Sequence, residues 1–229
     1  MSISKQLFIA ILVIVFIFCE RPLIADSNSE AIKNYKFPAS ISNEETFVST
    51  LPKGVDSIAM TYGDLNNDGL FDLVIVVADN SETAEFDSPV HLGAYLKNAN
   101  SSYDLIVQSS SAVLCLQCGG AFGNPFSGIE INNKDKLVVY HYGGSSDRWA
   151  YSDEYSYMNG NLYLTGHLYT TSNTFSLAYT SVSTNFVNGE QVTTTSNGET
   201  DKKKYKEKVS RKKLKVKPLI SIDKYSPGG

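Results

Sequence analysis

The sequence predicts a mainly β protein: an antiparallel sheet or meander, sandwich- or barrel-like, with at most one or two short helices. Three observations carry that expectation. Charged residues make up only 19% of the 229-residue chain, and Tyr, Ser, Thr and Asn are plentiful, a composition that suits half-buried pleated strands. Asn-Gly pairs at 159–160 and 188–189 separate strand-like stretches, and a two-residue hairpin turn needs positive φ at both central positions. The run "LFDLVIVVAD" (70–79) is apolar and β-branched without alternation, which suits a strand covered on both faces. A hydrophobic content of 42% is enough for one substantial core.

In chain order, Lys5 precedes twelve unbroken apolar residues, Leu7–Phe18. A bilayer-spanning helix needs about 20, so residues 1–25 are expected to be a secretory signal peptide cut after Ala25. A retained anchor would make the protein membrane-attached. Cys19 raises a lipoprotein, which the bulky Phe18 before it disfavours. Residues 26–42 are expected to be a flexible leader and 43–229 a single β-rich domain. "SNEETFVSTLP" (42–52) reads as a short helix with Ser42 or Asn43 as cap, Glu44 and Glu45 in the first turn, and Pro52 as stop. "HLGAYLKN" and "YDLIVQSS" read as a hairpin joined by "ANSS".

The strongest hairpin runs from Asp147 to Thr171. The Asn159-Gly160 turn sets Met158 opposite Asn161 and Tyr157 opposite Leu162. Counting back in twos places Trp149, Tyr151, Asp153, Tyr155 and Tyr157 on one face with Leu162, Leu164 and Leu168, and puts Asp153 opposite Gly166. Segments 136–144 and 179–194 extend a meander. "LKVKPLISI" (214–222) alternates Leu214 and Val216 with lysines and is expected to close or edge it.

After residue 25 two cysteines remain, Cys115 and Cys118. In an oxidising compartment an isolated pair forms a short-loop disulfide most simply. A redox pair would open a helix in a βαβ unit, whereas here the flanks read as a strand ("SSSAVL") and a Gly-rich loop. Zinc lacks a second ligand pair.

Residues 201–217 hold ten basic and two acidic residues, about +8, so the remainder carries about −12. The Lys-rich 202–217 stretch is expected to be a protected edge strand, available to an anionic surface. Nucleic acid is not an expected partner of an exported protein.

"GDLNNDGLFDLVIVV" (63–77) reads as D-x-N-x-D-G-x-x-D. Asp64, Asn66, Asp68, the Leu70 carbonyl and Asp72 fall at the alternating positions of a calcium loop, and Gly69 falls where the chain turns. The twelfth position is Ile75 rather than Glu, and a strand follows, so this is a Ca²⁺ loop feeding a strand and not an EF-hand. The competing view is that these residues cap turns. The stretch resembles the calcium loop of FG-GAP or VCBS-type repeats of integrin α-chain propellers and bacterial exported proteins, which implies structural Ca²⁺ at those five positions. The motif occurs once, and a propeller needs several four-stranded blades, so a full propeller is not expected. The order of this motif, "C--CGG-FG-PF-GI-I" (115–131) and "HYGGS--RW" (141–149) is similar to that of a family of uncharacterised bacterial exported proteins. That resemblance implies no activity.

His141, Asp147, Arg148 and Trp149 gather round a Gly-Gly turn and, with the Cys pair and the 119–128 loop, form a candidate ligand surface. His91 and His167 are expected to be structural. No nucleophile elbow, phosphate loop or dinucleotide pattern is present. The expected function is non-enzymatic: a Ca²⁺-stabilised binding protein of the envelope or periplasm whose partner is a protein or cell-wall polymer. The alternative is an envelope-directed hydrolase using His141.

Overall fold

The computed structural model describes residues 27–79, 81, 84–198 and 205–228. The expected signal segment, and the lysines at 202–204, lie outside the described residues. In chain order the elements are α1 (Ser27–Lys33), β1 (Ser40–Ile41), α2 (Glu44–Ser49), β2 (Val55–Gly63), β3 (Asp72–Asp79), β4 (His91–Lys97), β5 (Tyr103–Ser109), β6 (Phe126–Ile131), β7 (Leu137–Gly144), β8 (Asp147–Met158), β9 (Asn161–Asn173), β10 (Tyr179–Asn185), β11 (Glu190–Ser196) and β12 (Glu207–Lys213). They form two antiparallel sheets, ordered β1-β5-β4-β3-β2 and β12-β11-β10-β9-β8-β7-β6. Among the described residues the protein is mainly β, with two short α-helices and no propeller.

The inner strands of the first sheet are covered on both faces, and β3 shows why. In β3 all eight residues are buried. Val74, Val76 and Ala78 point between the sheets, where they meet Leu137, Val139, Tyr155, Leu162 and Leu164 of the second sheet. Leu73, Ile75 and Val77 point the other way, into a second cluster with Ile32, Tyr35, Phe37, Ile41 and Phe47. Each fully buried aliphatic chain contributes about 1.5–3 kcal/mol, so an uninterrupted apolar strand is favoured where both faces are covered.

The cover on the outer face corrects one expectation. Residues 26–42 are not a flexible leader where described: α1 carries Ile32, and Tyr35, Phe37 and Ile41 follow it into the core. The helix expected over 42–52 forms as α2, with the Asn43 side chain accepting the Thr46 N–H at 2.8 Å.

The β8–β9 hairpin begins as expected, with Met158 opposite Asn161 and Tyr157 opposite Leu162, and with positive φ at Asn159 and Gly160. Beyond Tyr155–Leu164 the register shifts, and Asp153 pairs with His167 rather than Gly166. The bulge inserts Thr165 and flips the rest of β9. His167 and Tyr169, not Leu168, therefore share the face of Tyr151 and Asp153, and Leu168 is exposed.

Two strand expectations also move. Residues 110–125 are irregular rather than entering through a strand at "SSSAVL". The basic edge strand is β12 (Glu207–Lys213), exposed throughout, whereas 214–220 leaves the sheet. Lys208, Lys212 and Lys213 lie on this open edge, where lysines disfavour pairing with another strand.

The second sheet outgrows the first. Among the described residues, β10–β12 contribute nothing to either buried cluster. The chain then returns: Leu164 N–H donates to Ile220 O, Ser109 Oγ to Ile222 O, and Ser111 Oγ to Tyr225 O. This C-terminal strap ties β5 to β9 across the sandwich.

Candidate functional site

The Gly-rich loop is docked on the β7–β8 turn by backbone bonds. Gly144 N–H donates to Gly119 O at 2.9 Å, and Ala121 N–H to Gly144 O at 3.1 Å. Gly143 lies against the Trp149 indole so closely that any Cβ there would overlap it, which explains a glycine in the middle of a paired strand. Cys115 and Cys118 stand at disulfide distance where this loop begins.

From this turn aromatic rings run along the sheet. Trp149 and Tyr151 have centroids 5.1 Å apart, and Tyr151 stacks on Tyr169 at 5.0 Å. All three are half-buried. The Arg148 guanidinium lies 4.0 Å above the Phe122 ring, which packs against Tyr142. Beside the rings is a surface pocket of about 420 Å³ walled by Asp147, Arg148, Trp149, Tyr169 and Asn173, with Asn173 Nδ2 donating to Asp147 Oδ1 at 2.7 Å. Of the four residues of the candidate ligand surface, Asp147 and Trp149 meet here, while Arg148 lines the pocket from the strand and turns its guanidinium to the other face, over Phe122.

His141 does not join them. It points into the sandwich and is 1% exposed, its Nε2 accepting the Leu114 N–H at 3.1 Å. Burial lowers its pKa to about 4 against a weaker opposing pull from Asp153. A histidine sealed from solvent has no access to substrate.

The polar cluster beneath the rings was not foreseen. Asp153 Oδ1 accepts from His167 Nδ1 at 2.6 Å and from the Tyr225 hydroxyl at 2.8 Å. Asp153 is fully buried. Its Oδ2, His141 Nδ1 and the Tyr155 hydroxyl have no protein partner among the described residues. Only the bulge brings His167 to Asp153, and Tyr225 arrives from the strap. Gly166 was the one sequence signal, since a strand glycine often marks a bulge. His91, by contrast, is structural: its ring nitrogen bonds Ile32 O at 2.8 Å.

In the acidic loop, Asn67 and Gly69 take positive φ. Asp64 accepts the Asp68 and Gly69 N–H groups, Asn66 Oδ1 accepts the Asp68 N–H, and Asp68 Oδ1 accepts the Leu70 N–H. These bonds wrap the side-chain oxygens round one tight turn. Asp72 stands apart. It is fully buried and accepts the Leu65 N–H (2.7 Å) and the Lys97 N–H (2.9 Å), so it bolts the loop to β4. Burial, more than the nearby Asp68 and Asp64, raises its pKa above the usual carboxylate value. Among the described residues no three His, Cys, Asp or Glu side chains form a ready-made metal cluster. Asp64, Asn66 and Asp68 reach the surface with lone pairs left for a hard cation, whereas Asp72, which like Asp64 accepts two backbone N–H groups, is sealed behind the turn.

Compared with known proteins, the chain matches no family model, and no curated protein or solved structure is significantly similar to it.

Proposed function

We propose that this is an exported, non-enzymatic binding protein of the bacterial envelope or periplasm, and that its partner is a cell-wall polymer held on the Trp149–Tyr151–Tyr169 face. The observation that carries this reading is the row of half-buried rings beside a polar-walled pocket. A sugar ring offers an apolar C–H face that stacks on aromatic rings, and its hydroxyls match Asp147 and Asn173. Apolar surface with a few placed polar groups is the general pattern of ligand sites. Trp149 is the only tryptophan, so its fluorescence reports on the site directly. Soluble wall glycan is expected to change that emission saturably, and Tyr169→Ala is expected to weaken binding at least tenfold, about 1.4 kcal/mol. An emission unaffected by glycan at millimolar concentration would exclude the site.

The second reading is an envelope-directed hydrolase, with His167 in place of the sealed His141. The Asp153–His167 pair favours it, because a carboxylate on Nδ1 fixes the tautomer and leaves Nε2 to act as a base. Turnover of wall material lost in His167→Gln but kept in His141→Gln would establish it.

The acidic loop is proposed to hold structural Ca²⁺ through Asp64, Asn66, Asp68 and the Leu70 carbonyl, with Asp72 supporting the loop from behind. Millimolar Ca²⁺ is expected to raise the melting temperature by several degrees, as binding to the folded state alone requires, and Asp68→Ala is expected to remove the increase. Equal melting curves in Ca²⁺ and EDTA would reject the metal.

A further inference from the structure

A second cavity lies at the opposite end of β9 from the aromatic face. Residues 214–220 leave the sheet after β12 and are tethered at both ends: Leu214 N–H donates to Gly189 O at 2.7 Å, and Leu164 N–H donates to Ile220 O at 2.9 Å. Between the tethers the chain joins no strand. It arches over a cavity of about 600 Å³ whose apolar walls include Leu164, Phe186, Val216 and Leu219. That volume is within the range of small-molecule sites, about 300–1,000 Å³. Among the described residues, the charged side chains lining it are those of Lys215 and Lys217, both exposed.

These features select one ligand chemistry. Apolar walls favour a hydrocarbon chain. Two lysines without an acidic neighbour in the lining favour an anionic head and disfavour a cationic one. Lysine stems extend the apolar wall while the ammonium groups stay in water, so chain and head can be satisfied together. We propose that the cavity under the 214–220 arch binds a single long-chain anionic amphiphile, its acyl chain against Phe186 and Val216 and its carboxylate at Lys215 and Lys217. This site is independent of the aromatic face. It gives the basic C-terminal stretch a specific ligand in place of a general attraction to anionic surfaces.

The test is calorimetric titration of the full chain with dodecanoate below its micellar concentration, beside dodecyltrimethylammonium and vesicles of anionic phospholipid. Saturable one-to-one dodecanoate binding is expected, with at least tenfold weaker binding of the cationic analogue. Lys215→Glu/Lys217→Glu is expected to weaken dodecanoate at least tenfold. Val216→Glu, which places an acid in the wall, is expected to abolish it. These residues are exposed, so unchanged melting curves will show that the variants fold. Absence of saturable binding overturns the proposal, as does equal affinity for both amphiphiles or indifference to the charge reversal. Binding to vesicles without binding to monomeric dodecanoate also overturns it, and would make the arch a membrane contact.

Discussion

Ile222→Ala is expected to lower the unfolding free energy by about 2–5 kcal/mol, the range for emptying a fully buried aliphatic site. Ile222, in the strap, is completely buried between the sheets. Its neighbours bear the same load. The Ile222 and Tyr225 carbonyls accept the Ser109 and Ser111 hydroxyls, and the Tyr225 hydroxyl reaches Asp153. Deleting residues 219–229 therefore exposes core surface and strips partners from buried groups together, and is expected to yield a chain that does not fold cooperatively. Urea denaturation measures both effects. A loss below about 1 kcal/mol for Ile222→Ala would mean that the strap packs more loosely than the burial of Ile222 requires.

Acidification is the second large effect. His141 has a folded-state pKa lowered to about 4 from 6.5, chiefly by burial. Between those values the unfolded chain binds more protons than the folded one, so stability is full above pH 6.5 and is lost as pH falls toward 4. The whole window corresponds to about 3 kcal/mol for this group. The structural cause is direct: Nε2 accepts the Leu114 N–H, so a proton placed there must break that bond. His91, also lowered by burial, adds in the same direction. His141→Gln keeps an acceptor without a titratable ring. Its stability is expected to change less between pH 7 and 4.5 than that of the wild type. Parallel pH profiles for the two proteins would show that His141 is not the group responsible.

The local pieces of the fold were legible because local rules dictate them. Asn43 caps α2 because its side chain can reach a first-turn N–H. Asn159-Gly160 turns β8 into β9 because both residues tolerate positive φ. Alternation then assigned Trp149, Tyr151 and Tyr157 to one face correctly for as long as the register held. The apolar run of β3 announced burial on both sides, but not what would cover it.

The candidate site was legible only in part, and the bulge at Thr165 explains most of the rest. A single inserted residue reverses every later side chain of β9, so simple counting brought Leu168 to a face that His167 and Tyr169 occupy. His141 shows the complementary limit. Its alternation with Val139 gave its face, but whether that face met solvent or a second sheet depended on how the sheets stack.

The sequence by itself determined the buried β3, the β4–β5 and β8–β9 hairpins, the main turns, the acidic loop and the pairing of nearby cysteines, since each rests on residues close along the chain. The tertiary structure alone decided that residues 27–41 cover a sheet, that Asp72 bolts the acidic loop to β4, that Asp153 meets His167 and Tyr225, and that 214–220 arches over a cavity. Those outcomes depend on packing between segments as far as 72 residues apart in sequence. The energy that selects them is burial summed over the whole core, which no short window of sequence contains.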